Sequence, residues 1–177
     1  MSDLIKEPLM KKTKAIATCG LLTALSVVLM LVGHIINIGI YAAPMLAGIC
    51  LLIIEKNYGA KYQTAVWMAS GILSFILVPN VEENLMYACI FGLYPIIRKY
   101  FLKLPKVPRI ILKLVYFNVT FAALELLLIL VLVPEATDTA FFIVMLVCGN
   151  LMFIVYDLLL PRMEYVIRKY LDKIIKF

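Results

Sequence analysis

The chain has 177 residues, of which 64% are hydrophobic and 16% are charged, and its mean hydropathy is +1.02. A soluble domain of this length cannot cover so much apolar surface with polar groups, so the composition excludes an ordinary soluble protein. The net charge of +6 does not indicate nucleic-acid binding, because the basic residues flank apolar runs and suit anionic lipid headgroups.

Six apolar runs predict an all-α, polytopic membrane protein whose single integral membrane domain covers residues 1–177. The predicted transmembrane helices are 15–32, 41–54, 62–78, 85–97, 110–133 and 140–160. The second and fourth runs are shorter than the roughly 20 apolar residues that a span normally needs. If both are re-entrant, only four spans remain, and Lys56 and Lys61 would then lie outside the cell.

The basic residues predict the orientation of the bundle. All 17 Lys and Arg residues fall into four clusters, at 6–14, 56–61, 98–113 and 162–176. The connections between them, around residues 33–41, 79–84 and 134–139, contain neither Lys nor Arg. Because cytoplasmic loops collect basic residues, six spans place both termini in the cytoplasm and the protein in the cell membrane.

Small residues follow one another along the first two spans. Ala17, Gly20 and Ala24 lie along the first span, and Ala43 and Ala47 are four residues apart in the second. Small side chains let helices approach closely in lipid. Two interpretations remain open for the first helix: packing within this chain, or contact with another membrane subunit.

The basic segment 98–109 joins the two halves of the predicted bundle. Arg98, Lys99 and Lys103 alternate there with apolar and aromatic residues, which is typical of a helix lying at the membrane interface. Pro105 and Pro108 mark the connection that follows.

Glu125 is the acidic residue placed deepest in a predicted span, roughly 13 Å from the outer end of the fifth helix at 1.5 Å per residue. A charge at such depth costs at least about 2.5 kcal/mol and usually faces the bundle interior. Asn118 lies on the same helical face, and Asn150 lies at a similar depth in the sixth span. These residues predict a polar seam that serves either as structural hydrogen bonding or as a ligand pocket, with Tyr87 and Tyr116 as aromatic walls.

Lys113 and Asp157 each lie three residues inside the cytoplasmic end of a span. Because the fifth and sixth helices are antiparallel neighbours, this placement predicts a structural ion pair at the inner interface. Lys113 could also extend to lipid headgroups alone.

The C-terminal segment 162–177 has the periodicity of an amphipathic helix. Pro161 is expected to separate it from the sixth span. Its apolar face is interpreted as resting on the inner leaflet, with docking to a cytoplasmic partner as the alternative. The apolar face contains Met163, Val166, Ile167, Tyr170, Leu171 and Ile174.

Signatures of soluble enzymes are missing from the sequence, so no enzymatic activity, cofactor or metal is expected. His34 is the only histidine, and neither a phosphate-binding glycine loop nor an H-E-x-x-H motif occurs. The four cysteines lie in apolar runs without C-x-x-C spacing and are expected to act as small apolar side chains.

The topology resembles that of the substrate-binding S components of energy-coupling factor vitamin transporters. The segment from Lys14 to Leu29 is similar in style to the first helix of that family. The resemblance implies a membrane subunit that binds a vitamin-like solute from outside, while a coupling permease and ATPase subunits supply the energy for uptake. No vitamin-specific signature is present, and Glu82 and Glu83, in the predicted outer connection 79–84, favour a cationic or zwitterionic solute.

The same resemblance implies positions for two sites. In the family, an Ala-x-x-x-Ala surface on the first helix contacts the coupling subunit, and Gly20 with Ala24 would take that role here. The family's ligand lies beneath the first outer loop, which matches the stretch 34–41 with Glu125 and Asn150 below it. His34 and Asn37 therefore join the expected ligand-binding residues.

Two other classes of protein remain open at this stage. One is a scaffold or assembly protein of the cell envelope, such as the rod-shape-determining membrane proteins, which are of similar size. The other is a small membrane enzyme or an independent carrier. The genes beside this one would discriminate, since ATPases with a permease favour the S component.

Overall fold

The computed structural model describes residues 3–36, 41–131 and 139–174, and every regular element among these residues is helical. The all-helical prediction is therefore confirmed for this part of the chain. The elements are α1 (Asp3–Ile36), α2 (Ala42–Tyr58), α3 (Ala60–Leu77), α4 (Val81–Leu85), a π-helix (Met86–Phe91), α5 (Tyr94–Phe101), α6 (Lys106–Val131) and α7 (Thr139–Ile174).

Among the residues that the structure describes, three helices are long and apolar enough to cross a membrane, judged by their length and composition. The qualifying segments are Lys12–Ile36 in α1, Lys106–Leu128 in α6 and Leu146–Ile167 in α7. Large apolar side chains point outward from each of them, for example Leu21, Val119 and Leu151. Such a surface suits a hydrocarbon environment, and the chain is therefore a membrane protein.

The first three helices pack on one another around Leu22, Leu51 and Val66. A single residue, Gly59, connects α2 to α3, and its φ of +90° is available to glycine at little cost. Its N–H donates to the carbonyl of Glu55, which closes the end of α2. This short turn makes α2 and α3 antiparallel neighbours.

A second core is aromatic and joins α2, the π-helix, α5, α6 and α7. Gly48 lets α2 approach this core closely, because an added Cβ would collide with the Tyr156 hydroxyl and with the carbonyl oxygen of Phe91. That hydroxyl donates to the same Phe91 carbonyl at 2.8 Å. The fully buried aromatic members are Phe91, Tyr94, Phe117, Phe121, Phe153 and Tyr156.

The fourth predicted span, 85–97, is not one continuous helix. Asn80 caps α4 by accepting a hydrogen bond from the Glu83 N–H, and the π-helix follows at Met86. Gly92 then donates to the Tyr87 carbonyl at 2.7 Å, and Pro95 lies in the first turn of α5. The Gly92 hydrogen bond spans five residues, as in a π-helix, and Pro95 has no N–H to donate, so the regular α-helical pattern is broken here.

The expectation that Pro161 separates the tail from the sixth span is wrong, because α7 continues through it to Ile174. Contacts on both sides hold the helix together. Leu160 is fully buried, and Glu164 pairs with Arg98 on α5. Met163 and Ile167 pack against the aromatic core, so this part of the tail lies on protein.

Within the segment 98–109, which was expected to lie at the membrane interface, Arg98 is buried, with only 5% of its residue surface exposed. It belongs to α5, and its guanidinium faces acids of α7. Tyr100, in contrast, is exposed and has Lys99 and Lys103 over its ring at 5.6 Å.

Three other helices differ in length from their predicted spans. The helix α1, which contains the first predicted span, begins at Asp3, and α2 covers Ala42–Tyr58. The helix α6, which contains the fifth predicted span, begins at Lys106. The second helix is thus longer than its apolar run, since Glu55, Lys56 and Asn57 extend it past Ile54. Residues 132–138 lie outside the described part of the chain.

Candidate functional site

The ion pair expected between Lys113 and Asp157 is present between the N-terminal part of α6 and the middle of α7. We call this side of the bundle inner and the opposite side outer, after the orientation that the basic residues predict. Lys113 Nζ lies 2.7 Å from Asp157 Oδ2 and 2.8 Å from Oδ1. The hydroxyl of Tyr94 donates to the same carboxylate, and Arg98 Nε lies 3.7 Å from it. A single acid of α7 therefore accepts hydrogen bonds from two side chains, Tyr94 of α5 and Lys113 of α6, and has Arg98 of α5 as a further ion-pair partner.

Glu164 completes this inner charge cluster, which consists of Tyr94, Arg98, Lys113, Asp157 and Glu164. Its Oε1 lies 3.2 Å from Arg98 Nη1. Two cations face two acids, so the charges balance within the cluster. Sequence reasoning missed Arg98 and Glu164 because 66 residues separate them. The arrangement fixes three helices and offers no unpaired charge to a ligand.

Asn118 and Asn150 form a reciprocal amide pair between α6 and α7. Their amide nitrogens each donate to the partner's oxygen, at 3.0 and 2.9 Å, and each nitrogen also donates to a carbonyl one turn earlier in its own helix. Such interhelical bonds hold helices together in lipid. The two residues satisfy each other, and Asn150 makes no hydrogen bond to Glu125, the third residue of the predicted seam.

Glu125 is half-buried, nearer the outer end of α6 than the asparagine pair. Its carboxyl interacts electrostatically with Glu82, which lies in the first turn of α4, and with Tyr41, which immediately precedes α2. Neither a hydrogen bond nor an ion pair to Glu125 is found among the described residues. We refer to Tyr41, Glu82 and Glu125 as the outer acidic group.

The structure does not bring the two expected aromatic walls to Glu125. Tyr87 is fully buried beside Met30, Ala47 and Val78, and its hydroxyl lies 2.6 Å from that of Ser70. Tyr116 donates to the Cys89 carbonyl at 2.6 Å.

Both hydroxyls are therefore already used inside the bundle. The two rings consequently contribute to helix packing and do not face Glu125.

His34 lies at the outer end of α1, with Nδ1 3.8 Å from Glu83 Oε2. Glu83 was expected only as an acid of an outer loop, yet its side chain is completely buried. Neither of its carboxyl oxygens has a hydrogen-bond partner among the described residues. Asn37, the other expected ligand residue here, lies outside the described residues.

A line of buried polar residues along α3 was not anticipated. Gln63, Ser70 and Ser74 are all completely buried, and their spacing of seven and four places them on one helical face. Ser26 of α1 faces this region and donates to the Ala47 carbonyl at 3.4 Å. The spacing of these residues is a sequence signal, but small hydroxyl residues in an apolar run do not by themselves identify a buried helical face.

Small residues of α1 and α3 line an open groove of about 550 Å³. An added Cβ on Gly20 would meet no atom within 4 Å, and Ala17 and Ala24 are also exposed. This face of α1 is therefore open in the described part of the chain, and its contact with another membrane subunit stays a prediction. Ala43 and Ala47 differ, since both are buried. Other residues lining the groove include Cys19, Thr23, Ala65 and Ala69.

Among the described residues, no group of three His, Cys, Asp or Glu side chains is arranged to hold a metal ion. The four cysteines are free thiols: Cys50 is buried, Cys19 and Cys89 are half-buried, and Cys148 is exposed on α7. Cys148 thus faces outward and is not part of the core.

Comparison of this chain with protein-family models, with curated proteins and with solved structures finds no match. We therefore infer function from the residues and their geometry.

Proposed function

We propose that the chain crosses the membrane six times with both termini in the cytoplasm. The passes are α1, α2, α3, the π-helix with α5, α6 and α7. The short turn at Gly59 supports this arrangement, because it makes α2 and α3 a hairpin whose tip carries Lys56 and Lys61. Those two residues then lie on the same side as the other basic clusters.

We further propose that this bundle is a solute-binding subunit of an uptake transporter, similar in role to an energy-coupling factor S component. The observation that carries the proposal is the open small-residue face of α1 beside the groove with α3. A helix of a partner membrane protein fits there, because small side chains let two backbones approach and gain van der Waals contact in lipid.

The energy for uptake comes from partner subunits under this proposal. The sequence contains no phosphate-binding glycine loop, so ATP hydrolysis is assigned to ATPase subunits reached through a coupling permease. Docking through α1 and α3 keeps α6 and α7, which carry the polar residues, free of the partner.

The solute is a small cationic or zwitterionic organic molecule that binds at the outer acidic group. Glu82 and Glu125 approach each other there without a basic neighbour among the described residues. A cationic group bound between them would relieve the repulsion of two partly buried acids.

A scaffold role in the cell envelope is the second candidate, and one observation favours it. Asn118 and Asn150 bind each other, and the hydroxyls of Tyr87 and Tyr116 are used within the bundle, so four of the expected ligand groups are already occupied. A scaffold would use the same α1 face for assembly without binding a solute.

Purification from the native host tests the docking face. Gly20→Leu fills the groove, and we expect a permease and ATPases to co-purify with the parent protein but not with this variant. Gly71→Leu is the matched control, because Gly71 also has open space around an added Cβ but lines a different groove, with Trp67 and Ala88.

Three outcomes of this experiment are informative. Loss of the partners in Gly20→Leu alone, with unchanged thermal stability, supports docking through α1. Equal retention in both variants contradicts the docking face. Co-purification of envelope-assembly proteins in place of ATPases supports the scaffold candidate.

The crossing number is tested separately by thiol labelling in a background without the native cysteines. A cysteine at Asn80 should react with an impermeant reagent from outside, and a cysteine at Lys61 should react only from the cytoplasm. Labelling of position 61 from outside contradicts six passes and supports four.

A further inference from the structure

Glu83 lies in the first turn of α4, within the outer connection and before the fourth pass. Its side chain is completely buried, and both carboxyl oxygens lack a hydrogen-bond donor among the described residues. A buried carboxylate without donors is strongly unfavourable, so the group must be neutral or must acquire a partner.

The space around Glu83 limits what that partner can be. An added Cβ on Gly33 would collide with the side chain of Ala43 and would lie 3.8 Å from Glu83 Oε1. The ends of α1, α2 and α4 therefore meet closely at this carboxyl, and its oxygens have almost no surface accessible to water. A hydrated metal ion or an organic ammonium group cannot reach them unless the helices move apart, whereas a proton can.

His34 is the titratable group that faces Glu83 from α1, with Nδ1 at 3.8 Å from Oε2. This distance is too long for a hydrogen bond but can be closed by a small side-chain rotation. The imidazole is 35% exposed and can exchange protons with water. Histidine is the side chain that ordinarily changes charge between pH 5 and 8.

The other neighbouring elements supply no cation at this position. The helix α3 carries no ionisable residue after Tyr62, and the π-helix presents Tyr87, whose hydroxyl is bonded to Ser70. Glu82 on α4 itself interacts with Glu125 of α6 and with Tyr41 before α2. His34 is thus the basic group available to Glu83 among the described residues.

We propose that His34 and Glu83 form a proton-binding site that holds the outer ends of α1 and α4 together and releases them when its last proton leaves. With one proton bound, either a neutral carboxyl donates to Nδ1 or an imidazolium donates to the carboxylate. With none, a carboxylate faces a neutral ring without a shared proton, and solvation then requires the ends to separate. The proton leaves to water through the exposed side of the imidazole.

Burial raises the pKa of Glu83 from about 4.5 to about 7. The closed arrangement therefore binds an additional proton compared with an arrangement in which Glu83 is hydrated. Its stability is greatest below the ordinary carboxyl pKa, falls as the pH rises towards 7, and stays low above that value. The proposal does not depend on the solute or on the docking partner.

Infrared spectroscopy of the full chain in lipid nanodiscs tests proton binding directly. We expect a protonated-carboxyl band that persists in the parent protein near pH 6 and disappears as the pH is raised past 7. Glu83→Gln should lack this band, and Glu82→Gln, the adjacent acid, should retain it. A band that is unchanged in Glu83→Gln overturns the assignment of the proton to Glu83.

Release of the helix ends is tested by thermal unfolding across the same pH range. The melting temperature of the parent protein should fall relative to Glu83→Gln as the pH rises from 5 to 7, and the difference should then become constant. His34→Leu should move the fall to lower pH, because the proton can no longer be shared. Parallel pH profiles for all three proteins overturn the proposal.

Discussion

The two ends of this bundle differ in whether their buried acidic side chains have basic partners. At the inner end, Asp157 has Lys113, Arg98 and the Tyr94 hydroxyl around it, and Glu164 pairs with Arg98. At the outer end, Glu83 is buried without a donor from any residue that the structure describes, and Glu82 and Glu125 act on each other with no described cation between them.

The difference separates an end of the bundle whose charges are already paired from an end whose acids can bind a proton or a cation. Removing one member of a balanced buried pair leaves an uncompensated charge, so such a cluster resists change. Unbalanced buried acids are instead stabilised by whatever proton or cation they bind. The inner end is therefore suited to holding α5, α6 and α7 in place, and the outer end is suited to ligands.

The largest predicted effect is at the inner end. Asp157→Ala leaves Lys113 and Arg98 without their shared acid, and we expect a loss of about 3 kcal/mol in the free energy of unfolding. Unfolding in detergent, followed by circular dichroism, measures this loss. The double variant Asp157→Leu with Lys113→Met should recover part of the stability, because it removes both charges together.

A loss below about 1 kcal/mol in Asp157→Ala would contradict the contrast between the two ends. The inner cluster would then contribute no more than an exposed ion pair.

Glu125→Gln is the corresponding change at the outer end, and we expect no loss of stability, because it removes a repelling charge. Under the proposed function, it weakens the binding of a cationic solute at least tenfold, or about 1.4 kcal/mol. Calorimetry with candidate vitamins checks this effect. A solute that binds both proteins equally well would remove Glu125 from the ligand site.

The smallest effect is expected between the two ends, at the amide pair. Asn150→Ala removes the hydrogen bonds to Asn118, and we expect a loss of about 0.6 kcal/mol, with roughly 1.7 kcal/mol as the upper bound for such bonds in a membrane. Asn118→Ala should cost a similar amount, and the double variant should cost less than the sum. Additive losses would show that the two amides do not act together.

Depth along a helix could be predicted from the sequence, whereas long-range partners could not. Lys113 and Asp157 were predicted to pair because each lies three residues inside the same side of the membrane on neighbouring helices. The burial of Arg98 could not be predicted, since its partner Glu164 follows Pro161 and was assigned to a separate helix. Local rules end a helix at proline, but contacts on both sides of Pro161 keep α7 continuous.

The outer end was predicted less well for a related reason. Adjacent acids at 82 and 83 resemble an exposed loop, yet consecutive residues of a helix point about 100° apart, so their side chains face different neighbours. Glu83 consequently faces α1, and Glu82 faces the group that contains Glu125. Only the position of α1 against α4 decides this, and no local pattern contains that information.

The length of α1 has a mechanical consequence. Its 34 residues make a rod of about 50 Å, whereas the hydrocarbon core of a bilayer is about 30 Å thick. The helix therefore continues roughly 20 Å beyond the hydrocarbon, and under the proposed topology its basic first turns project into the cytoplasm. A force on this projecting segment tilts α1 as a rigid body. It therefore moves the Gly20 face at the middle of the helix and the His34 contact at its far end together.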